Sequence, residues 1–287
     1  MPHGAGPTAG AVLGAWIAEQ TETLAGLEAA VRADEPDAVH RMRVTCRRLR
    51  STLQAYRPLI GTDTTALVAA LRSLASALGA ARDTEVLAER LTADARGLPP
   101  DCRPEEVAAA LTAWADENIA EARPQALAAL DDPAFPALLA ALRGLVAEPR
   151  FTARADRPAP RELARTARRQ QRRTARRIRE ARSAPPGEPT ETALHEARKA
   201  AKRARYAGEP AGPAAARFTG RMKALQDLLG THQDAVLAAR TLHVLADGDP
   251  RHAFAYGVLH DRQLTAAARD RRRLPEVWRK AAEPPVF

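Results

Sequence analysis

Apolar residues recur every three or four positions along most of the chain, which is the spacing of one face of an α-helix. The first such run, with Leu13, Ile17 and Leu24, predicts a helix over about 10–33. The same pattern, interrupted by proline and glycine, predicts further helices over about 37–57, 64–95, 104–147, 160–182, from the 185–187 turn to about Glu209, 214–246 and 250–272. We expect a bend at Gly79 in the segment 64–95. In the segment 104–147 we expect breaks at Pro124, Pro133 and Pro136. Only 4% of residues are aromatic, so leucine, valine and alanine must form the core. We therefore predict an all-α fold.

One polar pattern occurs twice, at 40–50 and at 195–205. In each copy a histidine is followed by cations at the third, seventh, eighth and tenth positions: His40 with Arg43, Arg47, Arg48 and Arg50, and His195 with Arg198, Lys202, Arg203 and Arg205. On a helix the histidine and the cations at the third, seventh and tenth positions form one stripe, beside an apolar flank that contains Cys46 in the first copy and Ala201 in the second. A solvated face is the ordinary interpretation of such a stripe, but solvated faces usually alternate acids with bases. The two acid-poor stripes favour duplicated basic faces for a polyanion.

A second pair of segments repeats in the same order. The segments at 71–83 and 222–234 align Arg72 with Lys223, Gly79 with Gly230 and Asp83 with Asp234. Two motifs in one order indicate an internal duplication. We predict a first four-helix half over 10–148, a linker over 149–159, a second four-helix half over 160–272 and a C-terminal tail over 273–287.

The charge of the chain is concentrated rather than spread. The formal net charge is +9, and the stretch 150–182 holds 13 arginines against only Asp156, Glu162 and Glu180. Its helix aligns Arg165, Arg168 and Arg172 on one arc, which we expect to enlarge the basic groove. An exposed basic face that binds any polyanion is the alternative.

The cellular location is predicted from the cysteine content, the N-terminus and the apolar runs of the sequence. Two cysteines give neither a disulfide framework nor a zinc site. The first lysine or arginine is Arg32, so the N-terminus does not resemble a signal peptide, and no apolar run reaches membrane-spanning length. We expect a cytoplasmic protein with no membrane partner.

The paired motifs resemble those of the CHAD family, the conserved-histidine α-helical domain, over residues 10–270. The resemblance implies two pseudo-symmetric four-helix bundles packed around a basic central groove or channel that binds inorganic polyphosphate. The family is often joined to a triphosphate-tunnel enzyme domain; we expect no such domain before residue 10 or after residue 272, and therefore a stand-alone member. The chain departs from the family pattern after Glu209, where Pro210 and Pro213 predict an early helix end.

The candidate polyphosphate-binding residues are the cations and histidines of both stripes, with neighbouring basic positions. They are His40, Arg43, Arg47, Arg50, Arg72, Arg82, Arg165, Arg168, Arg172, His195, Arg198, Lys199, Lys202, Arg205 and Lys223. Arginine suits this role because its planar fork can hold two phosphate oxygens. The two histidines have three interpretations: a phosphate donor, a structural brace, or a catalytic or metal-binding group.

The leading hypothesis is non-enzymatic polyphosphate binding, free or at granules, with no catalytic residue, metal or cofactor. A separate polyphosphate-metabolising enzyme is a candidate partner. The first alternative is a nucleic-acid-binding protein, although the stripes lack aromatic residues for stacking, so we expect only non-specific binding of nucleic acid. The second is an enzyme of polyphosphate turnover, for which Glu196 and Glu209 are the nearest acids.

Overall fold

A computed structural model describes residues 6–120 and 122–287, with the side chains of residues 80–83 and 122 left aside. The regular structure of these residues is helical, and the all-α prediction is confirmed. The helices are α1 (Ala9–Arg32), α2 (Ala38–Ala55), α3 (Thr65–Ala77), α4 (Ala80–Arg96), α5 (Pro104–Ile119), α6 (Ala122–Asp131), α7 (Ala134–Ala147), α8 (Ala159–Ser183), α9 (Glu188–Gly208), α10 (Ala216–Gly248) and α11 (Ala253–Ala281). Short 3₁₀ helices follow at Pro100–Cys102 and Glu209–Ala215.

In the described part of the first half, the four predicted helical segments comprise seven helices. The predicted segment 64–95 divides into α3 and α4 at Leu78 and Gly79, whereas its counterpart α10 continues past Gly230. The region 104–147 divides into α5, α6 and α7. Pro124 and Pro136 lie in the first turns of α6 and α7, where a missing backbone N–H breaks no helical hydrogen bond.

The last helix is longer than the pattern indicates. α11 continues through Pro275 to Ala281, so the predicted tail at 273–287 is wrong in its first part. Gln171 of α8 donates hydrogen bonds to the carbonyls of Ala281 and Glu283, at 2.9 and 2.7 Å. These contacts fix the end of α11 against α8.

The apolar core crosses the boundary between the halves. One buried cluster joins α1, α2, α3 and α7, and a second joins α8, α9, α10 and the end of α11. A third combines Leu91 and Leu111 of the first half with Leu242 and Leu259 of the second. Each half therefore completes part of its core with residues from the other.

The two stripe helices, α2 and α9, pack against each other and bring the repeats together. Their apolar flanks are buried as predicted, including Cys46 and Ala201. The Tyr56 hydroxyl donates a hydrogen bond to the Ala207 carbonyl at 2.7 Å, and both residues are buried. Burial raises the pKa of Tyr56 well above its usual value, so the phenol stays protonated as a donor.

Among the helices of the described residues, we find none with an apolar stretch long enough to span a bilayer.

Candidate functional site

A basic cavity of about 930 Å³ lies between α2, α3 and α9. Its cationic lining comes from both repeats and consists of Arg47, Arg50, Arg72, Arg198, Lys199, Lys202 and Arg203, together with His195. The remaining lining is small or polar, and no carboxylate among the described residues contributes to it. We call this space the basic cavity.

The cavity forms because α2 and α9 present their stripes at the same level. Each helix buries its apolar flank, and the adjoining stripe then faces the space between them. Arg47 and Lys202 hold equivalent positions in the two copies and both line the cavity. The duplication therefore produces one shared site rather than two separate faces.

Crowding of like charges is visible at Lys202. Burial and the nearby Arg47, Arg198, Arg205 and Arg50 lower the pKa of its ammonium group to about 8. Burial, followed by Arg72 and Arg47, also lowers the pKa of Arg50. An anion in the cavity would relieve this repulsion, because it favours the charged form of every neighbour.

Several cavity side chains keep donor atoms without a protein partner. Within the part of the chain that the structure describes, Nε of Arg47, Nε of Arg198 and Nδ1 of His195 are buried and form no hydrogen bond. Buried polar groups normally have partners, and these nitrogens could donate to the oxygens of an anion held in the cavity.

Arg198 is positioned by α10. Its Nη1 donates to the Gln233 side-chain oxygen at 3.0 Å, and its guanidinium lies against the backbone of Gly230. In the first repeat the Arg43 guanidinium lies against Gly79 in the same manner. The glycine of each repeated segment thus gives room to an arginine of the stripe.

Glu209 joins the two stripe helices, α2 and α9. Its side-chain oxygens accept a hydrogen bond from Arg48 Nε at 2.9 Å and from Arg205 Nε at 3.3 Å, and it is 15% exposed. Arg205 also contacts the Gln226 side-chain oxygen and lies over the Tyr206 ring. The early end of α9 at Gly208, as predicted, places Glu209 where both arginines reach it.

Several predicted residues lie outside the cavity lining. His40 is exposed at the start of α2, in a smaller pocket with Asp34, Glu35 and Glu85. Lys223 is exposed on α10 and pairs with Asp227 at 2.5 Å. Arg43 and Arg205 are likewise absent from the lining. The Arg82 side chain, like that of Asp83, lies outside the described residues.

The three predicted arginines of α8 do not face the cavity. Arg165, Arg168 and Arg172 are exposed, outside the cavity lining, so the expectation that they enlarge the groove is wrong in geometry. The reason is that α8 also buries a polar row, Glu162, Thr166, Gln170 and Thr174, which the apolar pattern could not reveal.

Sequence reasoning missed Arg203 as a site residue. It stands next to Lys202 and lines the cavity, although it lies off the stripe. Both copies of the motif carry a cation at the eighth position after the histidine, and this repetition could have identified Arg203 as a candidate.

The described residues contain no group of three or more His, Cys, Asp or Glu side chains arranged to hold a metal ion. Glu196, one of the two nearest acids, pairs with Lys199 at 2.8 Å. In the cavity lining His195 stands among cations, and it also borders a neighbouring pocket that contains Glu188 and Glu191. The arrangement is suited to holding an anion.

Comparison with known proteins identifies the class. A family model described as the CHAD domain matches residues 15–243. The chain therefore belongs to the CHAD family.

Two Mycobacterium tuberculosis proteins are similar to this chain. Uncharacterized protein MT2285 (strain CDC 1551 / Oshkosh) and uncharacterized protein Rv2226 (strain ATCC 25618 / H37Rv) are each 34% identical over 284 residues, covering 98% of this chain and 55% of theirs. The chain thus spans about half the length of these curated relatives.

Two solved structures share the fold. PptA from Streptomyces chartreusis superposes with a TM-score of 0.79 at 22% identity, covering 95% of this chain and 99% of that one. The CHAD domain from the plant Ricinus communis gives a TM-score of 0.69 at 24% identity, covering 98% and 95%. The helical arrangement is therefore that of the family.

Proposed function

We propose that this chain binds inorganic polyphosphate in the basic cavity and does not cleave it. The observation that carries the proposal is the convergence of cations from both repeats, Arg47 and Arg50 with Arg198 and Lys202, on one space without a lining carboxylate. Membership of the CHAD family agrees with this ligand.

The chemistry of the lining favours a linear phosphate polymer. Polyphosphate carries charge along its whole length and has no base edges, so aligned guanidinium and ammonium groups suffice to hold it. The lining has no aromatic side chain among the described residues on which a base could stack. The nucleic-acid alternative consequently has no specific observation in its favour.

The non-enzymatic part of the proposal rests on Glu209 and Glu196. Both carboxylates are held in ion pairs, Glu209 by Arg48 and Arg205 and Glu196 by Lys199. A general base or metal ligand needs an oxygen directed at the substrate. We further propose a cytoplasmic location, on free or granule-associated polyphosphate, where a polyphosphate-metabolising enzyme is a candidate partner.

The first test is a competition assay. Long-chain polyphosphate, duplex DNA and single-stranded RNA are titrated at about 0.15 M salt. The proposal expects the tightest binding for polyphosphate, and tighter binding of DNA would reject it. Incubation of polyphosphate with Mg²⁺ or Mn²⁺ should leave its length unchanged; shortening that is lost in Glu209→Ala would establish an enzyme.

The second test is a double charge reversal, Arg47→Glu with Lys202→Glu, which should abolish polyphosphate binding. The matched control is Arg272→Glu with Lys280→Glu, which changes the same charges on the exposed face of α11. Thermal unfolding verifies that both variants fold. Binding that survives the cavity reversal in a folded protein would contradict the proposal.

A further inference from the structure

We infer that a polyphosphate chain longer than the basic cavity leaves it across Arg203 and continues along α8 over Arg173 and Arg169. These three arginines are called the exit track. The inference rests on the proposed function and adds a second binding surface for the same ligand.

The track is contiguous with the cavity. Arg203 lines the cavity and lies on α9, which packs against α8. Arg169 and Arg173 are one turn apart on the same face of α8. Arg169 donates a hydrogen bond to the carbonyl of Ala55, at the end of α2, so this face of α8 borders two helices that line the cavity.

The charges of the track act on one another. Burial lowers the pKa of Arg203, and Arg173, Arg177 and Arg50 lower it further, against the opposite effect of Glu196. Burial and then Arg173 lower the pKa of Arg169. Positive potential therefore extends from Arg50 in the cavity to Arg169 on α8.

Along α9, carboxylates stand at both ends of the cationic row that borders the cavity. The row on α9 from Arg198 to Arg205 is about 10 Å long, at 1.5 Å per residue. Glu209 holds Arg205 at one end of this row, and Glu191 precedes its other end. A polyanion that follows the row meets negative charge at either end.

Along α8 the two directions also differ. Arg177 pairs with Glu180 at 2.7 Å, which reduces the positive charge on that side. Arg173 is exposed and forms no ion pair with a described residue. The direction toward Arg173 and Arg169 is thus the favoured path for further phosphates.

The experiment compares two ligand lengths in Arg173→Glu. Affinity is measured for tripolyphosphate, which the cavity can hold, and for long-chain polyphosphate, which must extend beyond it. We expect the long-chain affinity to fall about tenfold, while the tripolyphosphate affinity changes by less than about twofold because screening weakens distant charges. Arg173→Gln should reduce the salt slope of long-chain binding by about one. Arg272→Glu, an exposed arginine on α11, is the control and should change neither affinity.

The outcomes separate the two proposals. A wild-type protein that binds neither ligand overturns the proposed function together with the exit track. If the wild type binds both ligands, an Arg173→Glu variant that loses neither, or loses both equally, overturns the exit track alone. Equal long-chain losses in Arg173→Glu and Arg272→Glu would also overturn it, because the effect would then be one of net charge.

Discussion

Arg198 and Gly230 are in contact across α9 and α10. A Cβ atom at Gly230 would lie 3.2 Å from Nη2 of Arg198. The equivalent pair in the first repeat is Arg43 and Gly79, where the corresponding distance is 2.9 Å. The two repeated motifs are therefore parts of one arrangement, in which the glycine of the second motif leaves room for the guanidinium of a stripe arginine.

Gly230→Ala should weaken polyphosphate binding by a few-fold, because the new methyl group displaces the Arg198 guanidinium. The substitution should not lower stability through helix propensity, since alanine is favoured over glycine in a helix by about 1 kcal/mol. Ligand titration and thermal unfolding measure the two effects separately. Gly220→Ala on the same helix is the control, because a Cβ there has nothing within 4 Å. Equal affinities in the two variants would contradict the prediction.

Glu209→Gln should destabilise the fold. The carboxylate is 15% exposed and links Arg48 of α2 with Arg205 of α9. Loss of its charge leaves two arginines close together, and we expect a decrease of about 2 kcal/mol in the free energy of unfolding. Urea denaturation measures it. Glu276→Gln, in an exposed pair with Lys280, should cost about 0.5 kcal/mol or less. A similar decrease in the free energy of unfolding in both variants would contradict the stabilising role of Glu209.

Polyphosphate affinity should fall as the pH rises through about 8. Lys202 has a pKa of about 8 in the free protein, lowered by burial and by the surrounding arginines. A bound polyanion favours the ammonium form, so above this pH binding must take up a proton. Lys202→Arg remains charged and should keep its affinity through about pH 9.5. An unchanged alkaline decline in Lys202→Arg would assign the effect to another group.

The same pKa shift predicts a rise in stability at alkaline pH. The folded pKa of Lys202, about 8, lies below the value of 10.5 for an unperturbed lysine, so the unfolded chain binds more protons between these values. Stability contributed by this group should therefore increase as the pH rises from about 8 to 10.5. Urea unfolding of the wild type and of Lys202→Met at several pH values isolates the contribution. A Lys202→Met protein with the same alkaline rise would refute the assignment.

The sequence predicted the helices and the paired stripes well, because helical periodicity is a local property. α1, α2 and α8 begin and end within two residues of their predicted bounds. The burial of Cys46 and Ala201 also follows from the amphipathic pattern. These features require no knowledge of which helices become neighbours.

The composition of the site was less predictable, because it depends on packing between distant helices. His40 shares a stripe with Arg47, but it lies about 10 Å further along the helix, beside an acidic loop. Arg203 lies off the stripe but lines the cavity. Its position depends on the packing of α9 against α2 and α8, which the sequence pattern does not contain. The two repeats contribute unequally, since α3 lines the cavity and its counterpart α10 does not. Sequence periodicity assigns a residue to one face of its helix, but it does not identify which other helices pack against that face.

The third buried cluster, which joins Leu91 and Leu111 to Leu242 and Leu259, has a consequence for dissection of the protein. A fragment ending before α8 would expose the leucines that α10 and α11 normally cover, and the complementary fragment would do the same. Neither is expected to be an autonomous folding unit. Although the sequence contains an internal repeat, the two halves share a buried core and should unfold in a single cooperative transition.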